Sequence, residues 1–246
     1  MGTKMAVAFA NIFMAEIETK LINQSNTKPI KWKRYIDDIF SLWDSNIQEI
    51  NLFIKQANNF HPTIKFTAEI SEIEITFLDT IISKGERFKN ESILDIRTHY
   101  KPTETFQYTH FTSSHPPGVK KGFIKGEALR LLRTNSSETA FNHSITNFKS
   151  RLIARGYPYK MIQTTLSEVS FAGRQSALQT KAKARKQILP FVTTYHPSVG
   201  NLKNILMLNW DLIQNQPLLN TIFKNPPILS YRRGKSRSDR LVKAKL

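Results

Sequence analysis

The chain opens on a helical rhythm. Phe9, Ile12, Phe13, Glu16, Ile17, Lys20 and Leu21 set an apolar stripe at i, i+3, i+4 and i+8, which predicts a core-facing helix from about Ala6 to Ile22. The period then shortens to two. Trp32, Arg34 and Ile36 alternate, Asp37-Asp38 interrupt them, and Ile39-Phe40-Ser41-Leu42-Trp43 resume an apolar run of strand-favouring residues. This predicts a hairpin with two carboxylates at its turn. Ser45 and Gln48 fit a capping box, and Ile47, Ile50, Ile54, Ala57 and Phe60 repeat at helical spacing up to the His61-Pro62 break. Alternation returns over Ile64 to Ala68 and Ile73 to Ile82, a polar loop around Gly85 covers Lys84 to Asn90, and Ile93 to Tyr100 reads as a partner strand. Helix, hairpin, helix and antiparallel strands predict an α+β layer with helices on one face of a sheet.

Past residue 110 the pattern is helical throughout. Ile124, Ala128, Leu131 and Leu132 form one stripe, and a second helix starting near Asn135 or Ser136 turns Phe141, Ile145, Phe148 and Leu152 inward. Gly156 fits a C′ stop, and Pro158 opens a third helix carrying Met161, Ile162, Leu166 and Val169. Helix, short glycine turn, helix is a helix-turn-helix-like arrangement. Beyond Pro190 the texture changes: Pro197, Gly200, Pro217, Pro226 and Pro227 punctuate a stretch whose firm helical pattern runs from Leu202 to Ile213, and a basic tail follows from Arg232 to Lys245. The expected organisation is therefore residues 1–110 as an α+β part, 111–190 as a basic helical part, and 191–246 as a connector with its tail.

Charge sharpens this division. Of 246 residues, 36 are Lys or Arg and 19 are Asp or Glu, a net charge of +17. Residues 1–110 hold 13 basic and 14 acidic side chains, while residues 111–246 hold 23 and 5. A near-neutral part with clustered acids beside a cationic part suggests one region for chemistry and another for gripping phosphates. Nucleic acid is the expected polyanionic partner, ahead of an anionic membrane surface. A hydrophobic content of 40% excludes a wholly disordered chain, and the absence of cysteine excludes disulfides and zinc knuckles. The apolar run from Met5 closes at Glu16 and Glu18, too short for the roughly 20 residues that span a bilayer. The expected location is intracellular, nuclear or cytoplasmic.

Two adjacent carboxylates flanked by Tyr35, Ile36, Ile39 and Phe40 repel each other and lose solvation unless a cation joins them. Hard, oxygen-ligated Mg²⁺ or Mn²⁺ suits such a pair, although Asp is also a common turn residue. The phosphate-binding candidates are Lys101, Lys121, Lys125, Arg130, Arg133, Arg151, Arg155, Arg174, Lys183 and Arg185, lifted above ordinary solvated charges by the shortage of acids around them. His99, His110, His115, His143 and His196 show no metal-ligand spacing.

Tyr35-Ile36-Asp37-Asp38 resembles the YxDD box of reverse transcriptases, and its surroundings resemble those of Penelope-like retroelements. Gly2-Thr3-Lys4-Met5-Ala6 with Phe9 to Met14 and Glu18 resembles the motif B loop and helix. Phe77-Leu78-Asp79 resembles the box after motif D. Tyr100-Lys101-Pro102-Thr103, Ser114-His115-Pro116 and Gly126-Glu127 with Arg130 and Arg133 resemble the start of the thumb, and Pro226-Pro227 with Tyr231-Arg232-Arg233 resembles the stretch ahead of a GIY-YIG endonuclease.

The resemblance implies a partial polymerase palm followed by a helical thumb, and nucleotidyl transfer by two metal ions in the complete enzyme. It implies Asp37 as the metal-bridging carboxylate with Asp38 as a supporting ligand, and Gly2, Lys4 and Tyr35 at the nucleotide and template. The partner would be a primer-template duplex of RNA and DNA. It also implies that the fingers, the motif A aspartate and the endonuclease lie outside this chain, which would then be inactive alone. The alternative is a non-catalytic nucleic-acid-binding helix-turn-helix protein derived from such an element.

Overall fold

The computed structural model describes residues 5–180, 189–197, 201–232 and 234. The chain divides into two compact units, residues 1–105 with 134–144, and residues 106–133 with 145–246.

In the first unit α1 (Ala6–Gln24) precedes the antiparallel pair β1 (Lys31–Tyr35) and β2 (Asp38–Leu42), then α2 (Ile47–Phe60). The core forms where the C-terminal half of α1 meets α2: Leu21, Phe53 and Ala57 are buried, with Ile22, Trp32, Trp43, Phe60 and Phe66 packed around them. Trp32 and Trp43 both present ring edges to Phe53, at 5.8 and 4.8 Å between centroids. The expected stripe of α1 is thus only half used. Ile17 and Leu21 are buried, but Phe9 and Ile12 stand 73% and 71% exposed. The cap of α2 lies one residue later than Ser45 and Gln48 predict: Asn46 Oδ1 accepts from the Glu49 amide at 2.9 Å, and Glu49 Oε2 accepts from the Asn46 amide at 3.2 Å.

Three further strands make a separate antiparallel sheet: β3 (Glu74–Phe77), β4 (Thr80–Ser83) and β5 (Asp95–Thr98), with α3 (Glu86–Glu91) between the last two. Three expectations are corrected here. Residues 64–68 form no strand, since Asn58 takes up both the amide and the carbonyl of Phe66 from the side. The run from Ile73 to Ile82 is a hairpin, broken where Leu78 enters the left-handed region at φ 55°. The polar loop at Lys84–Asn90 contains a short helix, whose Arg87 pairs with Asp95 of β5. Asn135 is buried against this sheet, with its side chain bonded to the Thr98 amide and hydroxyl.

The following helices are α4 (Pro117–Thr134), α5 (Glu138–Ala154), α6 (Tyr159–Leu166) and α7 (Arg174–Leu178). Their apolar stripes hold: Ile124, Ala128, Leu131 and Leu132 of α4, Phe141, Phe148 and Leu152 of α5 and Ile162 of α6 are buried, and Val169 follows them. In the second unit Tyr108, Phe123 and Phe148 form an aromatic cluster with centroids 5.2 to 6.0 Å apart.

The segment read as a connector has more order than its proline content suggests. β6 (Pro190–Thr194) pairs in parallel with β7 (Ile228–Arg232), and α8 (Leu202–Leu208), α9 (Trp210–Gln214) and α10 (Pro217–Ile222) lie between them in the chain. A parallel pair needs a long crossover, which these helices supply.

Candidate nucleic-acid interface

The carboxylate pair sits at the tip of a tight hairpin. Tyr35 faces Asp38 across the β1–β2 register, so Ile36 and Asp37 form a two-residue turn, with Ile36 in the left-handed region at φ 57°. A β-branched residue there is strained by about 1–3 kcal/mol. The turn is held from below. Arg34 donates to Glu18 Oε1 at 2.7 Å, to Asn11 Oδ1 at 2.8 Å and to the Ile36 carbonyl at 3.1 Å, which ties the hairpin to α1. The Arg34 and Glu18 side chains are each only 11% exposed, so this ion pair is shielded from water.

The expected desolvation of the aspartates is not observed. Asp37 and Asp38 are exposed, and Tyr35 and Ile36 beside them are 59% and 56% exposed, because the turn projects beyond the packed part of the hairpin. Water therefore screens the two charges and no cation is required to hold them together. Among the described residues no group of three or more His, Asp or Glu side chains is arranged to hold a metal ion. Gly2 and Lys4 lie outside the described residues, as do Lys183 and Arg185.

The basic candidates divide by what they touch. Lys121 and Lys125, one turn apart on α4, both reach Glu168, at 2.8 and 2.6 Å. Hydrogen bonds from the two ammoniums, Lys121 first, lower the Glu168 pKa to about 2. Arg130 makes a paired contact with Glu127 one turn back, its Nε at 2.9 Å and its Nη2 at 2.7 Å from the carboxylate. Arg133 donates to the Ala177 carbonyl and Arg174 to the Arg133 carbonyl. Arg151 stacks on the Phe106 ring, and Arg155 donates to the Tyr108 carbonyl and to Gln107. These last two guanidiniums fasten the segment ahead of α4 onto the end of α5. Lys101 is exposed in the loop after β5. The structure thus brings Lys121 and Lys125 together and assigns much of the remaining charge to internal contacts.

Sequence reasoning overlooked the outer face of α6. α5 ends at Ala154, Arg155 to Pro158 make the turn, and α6 starts at Tyr159. Gly156 takes φ 78°, and a β-carbon there would come within 3.3 Å of the His110 ring. A turn of this length with a glycine is compatible with a helix-turn-helix connection. α6 buries Ile162 and Thr165 and exposes Tyr159, Lys160, Gln163 and Thr164. Lys149 of α5 leans over Tyr159, its Nζ 3.2 Å from the phenol oxygen and 4.5 Å from the ring centre. The same 3.6-residue period that marks Ile162 as core marks these positions as the opposite face, so the signal was present in the sequence.

Comparison with known proteins agrees with this geometry. A family model, the animal helix-turn-helix domain, matches residues 107–167, from the segment ahead of α4 to just past α6. No curated protein and no solved structure matches the chain.

Proposed function

We propose that this chain is a nucleic-acid-binding protein that grips a duplex through its helix-turn-helix region. The carrying observation is the α5–Gly156–α6 pair, which turns a polar helix face outward within a half of the chain holding 23 basic against 5 acidic residues. Phosphate neutralisation by so basic a region supplies affinity without sequence information. Such a protein acts where nucleic acid is, inside the cell, and among the described residues no helix is long and apolar enough to cross a membrane. Fluorescence anisotropy of the full chain on a 20-base-pair duplex tests the reading: binding should weaken steeply between about 50 and 200 mM salt. Absence of binding at low salt, or binding indifferent to salt, overturns it.

A second reading has its own observation. The Tyr35-Ile36-Asp37-Asp38 box lies at a strained hairpin turn braced on α1 by Arg34, the placement that a reverse transcriptase palm of a Penelope-like retroelement would require. In this reading the partner is a primer-template duplex and the cofactor Mg²⁺ or Mn²⁺. Asp37 and Asp38 are the two carboxylates that would hold such an ion, water and substrate phosphates supplying its remaining oxygens; the further aspartate that the resemblance implies for a complete polymerase site lies outside this chain, so no catalytic step is assigned to it. Primer extension in Mg²⁺ or Mn²⁺ should be absent for the isolated chain. Extension that Asp37→Ala abolishes would instead establish it as a polymerase by itself.

A further inference from the structure

We infer that the cleft between the start of α4 and the paired strands β6 and β7 holds a nucleotide of a single strand of nucleic acid, its base stacked on Tyr195 or Tyr231 and its phosphate on Arg232. This rests on the proposed nucleic-acid binding and adds to it a second site, for unpaired strands, whose three acting side chains lie beyond the matched helix-turn-helix segment.

The strand pairing builds one wall. β6 and β7 run parallel and in register, from Pro190 opposite Ile228 to Thr194 opposite Arg232. Tyr195 follows the last residue of β6 and Tyr231 precedes the last residue of β7, so the register brings their rings to 5.2 Å between centroids. The rings meet edge to face at 76°, an arrangement that leaves each of them a face not covered by the other, and Tyr231 is 41% exposed. Residues 114–119, the entry into α4, form the opposite wall. Lys120 secures it by donating to the Phe111 carbonyl and, at 2.8 Å, to the Ser113 carbonyl. The cleft between the walls has a volume of about 630 Å³, within the roughly 300–1,000 Å³ of sites that hold small organic groups.

The chemistry of the lining selects the occupant. Arg232 Nε donates to the Thr194 hydroxyl at 3.0 Å across the strand pair, which orients the guanidinium, and no carboxylate among the described residues pairs with it. No Asp or Glu lines the cleft. Lys121 and Lys125, by contrast, already share Glu168. An oriented guanidinium without a counter-ion attracts an anion, and open tyrosine faces beside it suit a flat aromatic group. A nucleotide carries both, whereas an acidic peptide brings the charge without the ring. The chain itself favours a polyanionic strand over a lone nucleotide, because residues 232–245 contain seven Lys or Arg and one Asp. A duplex does not fit this chemistry, since its base faces are stacked on one another. The lining holds no amide or carboxylate side chain to read base edges, so the cleft accepts strands of any sequence.

The test is fluorescence anisotropy of the full chain on an eight-nucleotide thymidine strand, with the 20-base-pair duplex measured in parallel. The strand should bind. A strand of the same length carrying abasic sugars should bind at least about fivefold more weakly, since its phosphates remain and its base faces are gone. Tyr195→Leu combined with Tyr231→Leu should weaken strand binding by at least about fivefold, with duplex affinity and melting temperature unchanged, while Tyr231→Phe should keep strand affinity. Arg232→Gln should lower strand affinity and reduce its salt slope by about one. Photocrosslinking of a bromodeoxyuridine strand to the unmodified chain should mark Tyr195 or Tyr231. Equal affinity for the abasic strand, crosslinks confined to other residues, or competition by an octaglutamate peptide as effective as that by the thymidine strand overturns the inference. Absence of strand binding while duplex binding persists also overturns it and leaves the proposed function standing. Absence of duplex binding, with strand binding that still depends on the two tyrosines, counts against the proposed function alone.

Discussion

The α+β stretch 5–105 is nearly twice as long as the helical stretch 117–169, yet the shorter stretch buries more. Among the described residues, the stretch 5–105 buries five hydrophobic side chains, Ile17, Leu21, Ile50, Phe53 and Ala57, whereas 117–169 buries ten. The cause lies in the elements. Strands of four or five residues in sheets of two and three strands bury little on either face, while α4, α5 and α6 each bury an apolar stripe. The helical region is therefore held by packing. The hairpin of the α+β region is anchored by Trp32 on Phe53 and by the shielded Arg34–Glu18 pair, and Phe9 and Ile12 of α1 stay exposed. A surface that must grip a rigid duplex gains from the first arrangement, because its contacts stay in place.

The comparison breaks most visibly at Phe148, fully buried in the aromatic cluster of the helical region. Phe148→Ala should cost about 3–5 kcal/mol and abolish duplex binding. Phe53→Ala, its counterpart in the α+β region, should leave duplex binding intact. Chemical denaturation with anisotropy checks both, and loss of binding in the second variant would show that the regions do not act separately. Next in size is Glu18→Ala, which strands the Arg34 guanidinium at 11% exposure and should cost about 3 kcal/mol, read as faster amide exchange in β1 and β2 with no change in α4 to α6. Gly156→Ala follows, at about 1–2 kcal/mol, because alanine is strained at φ 78° and its β-carbon crowds His110. Its melting temperature should fall while the α+β region is untouched.

The smallest effect concerns charge. Glu168→Gln frees Lys121 and Lys125, so duplex affinity should rise several-fold and the slope of log K against log salt should steepen by up to about 2. The Glu168 carboxyl is depressed to about 2, below its ordinary value of about 4.3. Its stabilising contact with the two lysines is therefore fully present above about pH 4.3 and is lost as pH falls toward about 2. The wild type and the glutamine variant should accordingly differ by a constant factor between pH 5 and 8. A difference that varies across that window would mean that another group governs the clamp.

The comparison also explains what could be read from the residues in advance. The amino-acid sequence by itself determined the period of each element, and period is a local property. It placed α1, the β1–β2 hairpin with Asp37 in its turn, the stripes of α4 to α6 and the Gly156 stop, because spacing, capping and φ preference act within a few residues. Only the tertiary structure decided which side of each stripe meets a partner. Phe9 and Ile12 share the period of Leu21 but stay exposed, and Asp37 and Asp38 project into water although apolar residues flank them. Likewise β6 and β7 pair across more than thirty intervening residues, a contact that no local pattern encodes. The same holds for the cations. Lys121, Lys125, Arg151 and Arg155 look alike in sequence, but the fold gives two of them a carboxylate and uses the other two to fasten the segment ahead of α4. Burial and charge pairing depend on residues distant in the chain, and which of those arrive is settled only when the elements pack.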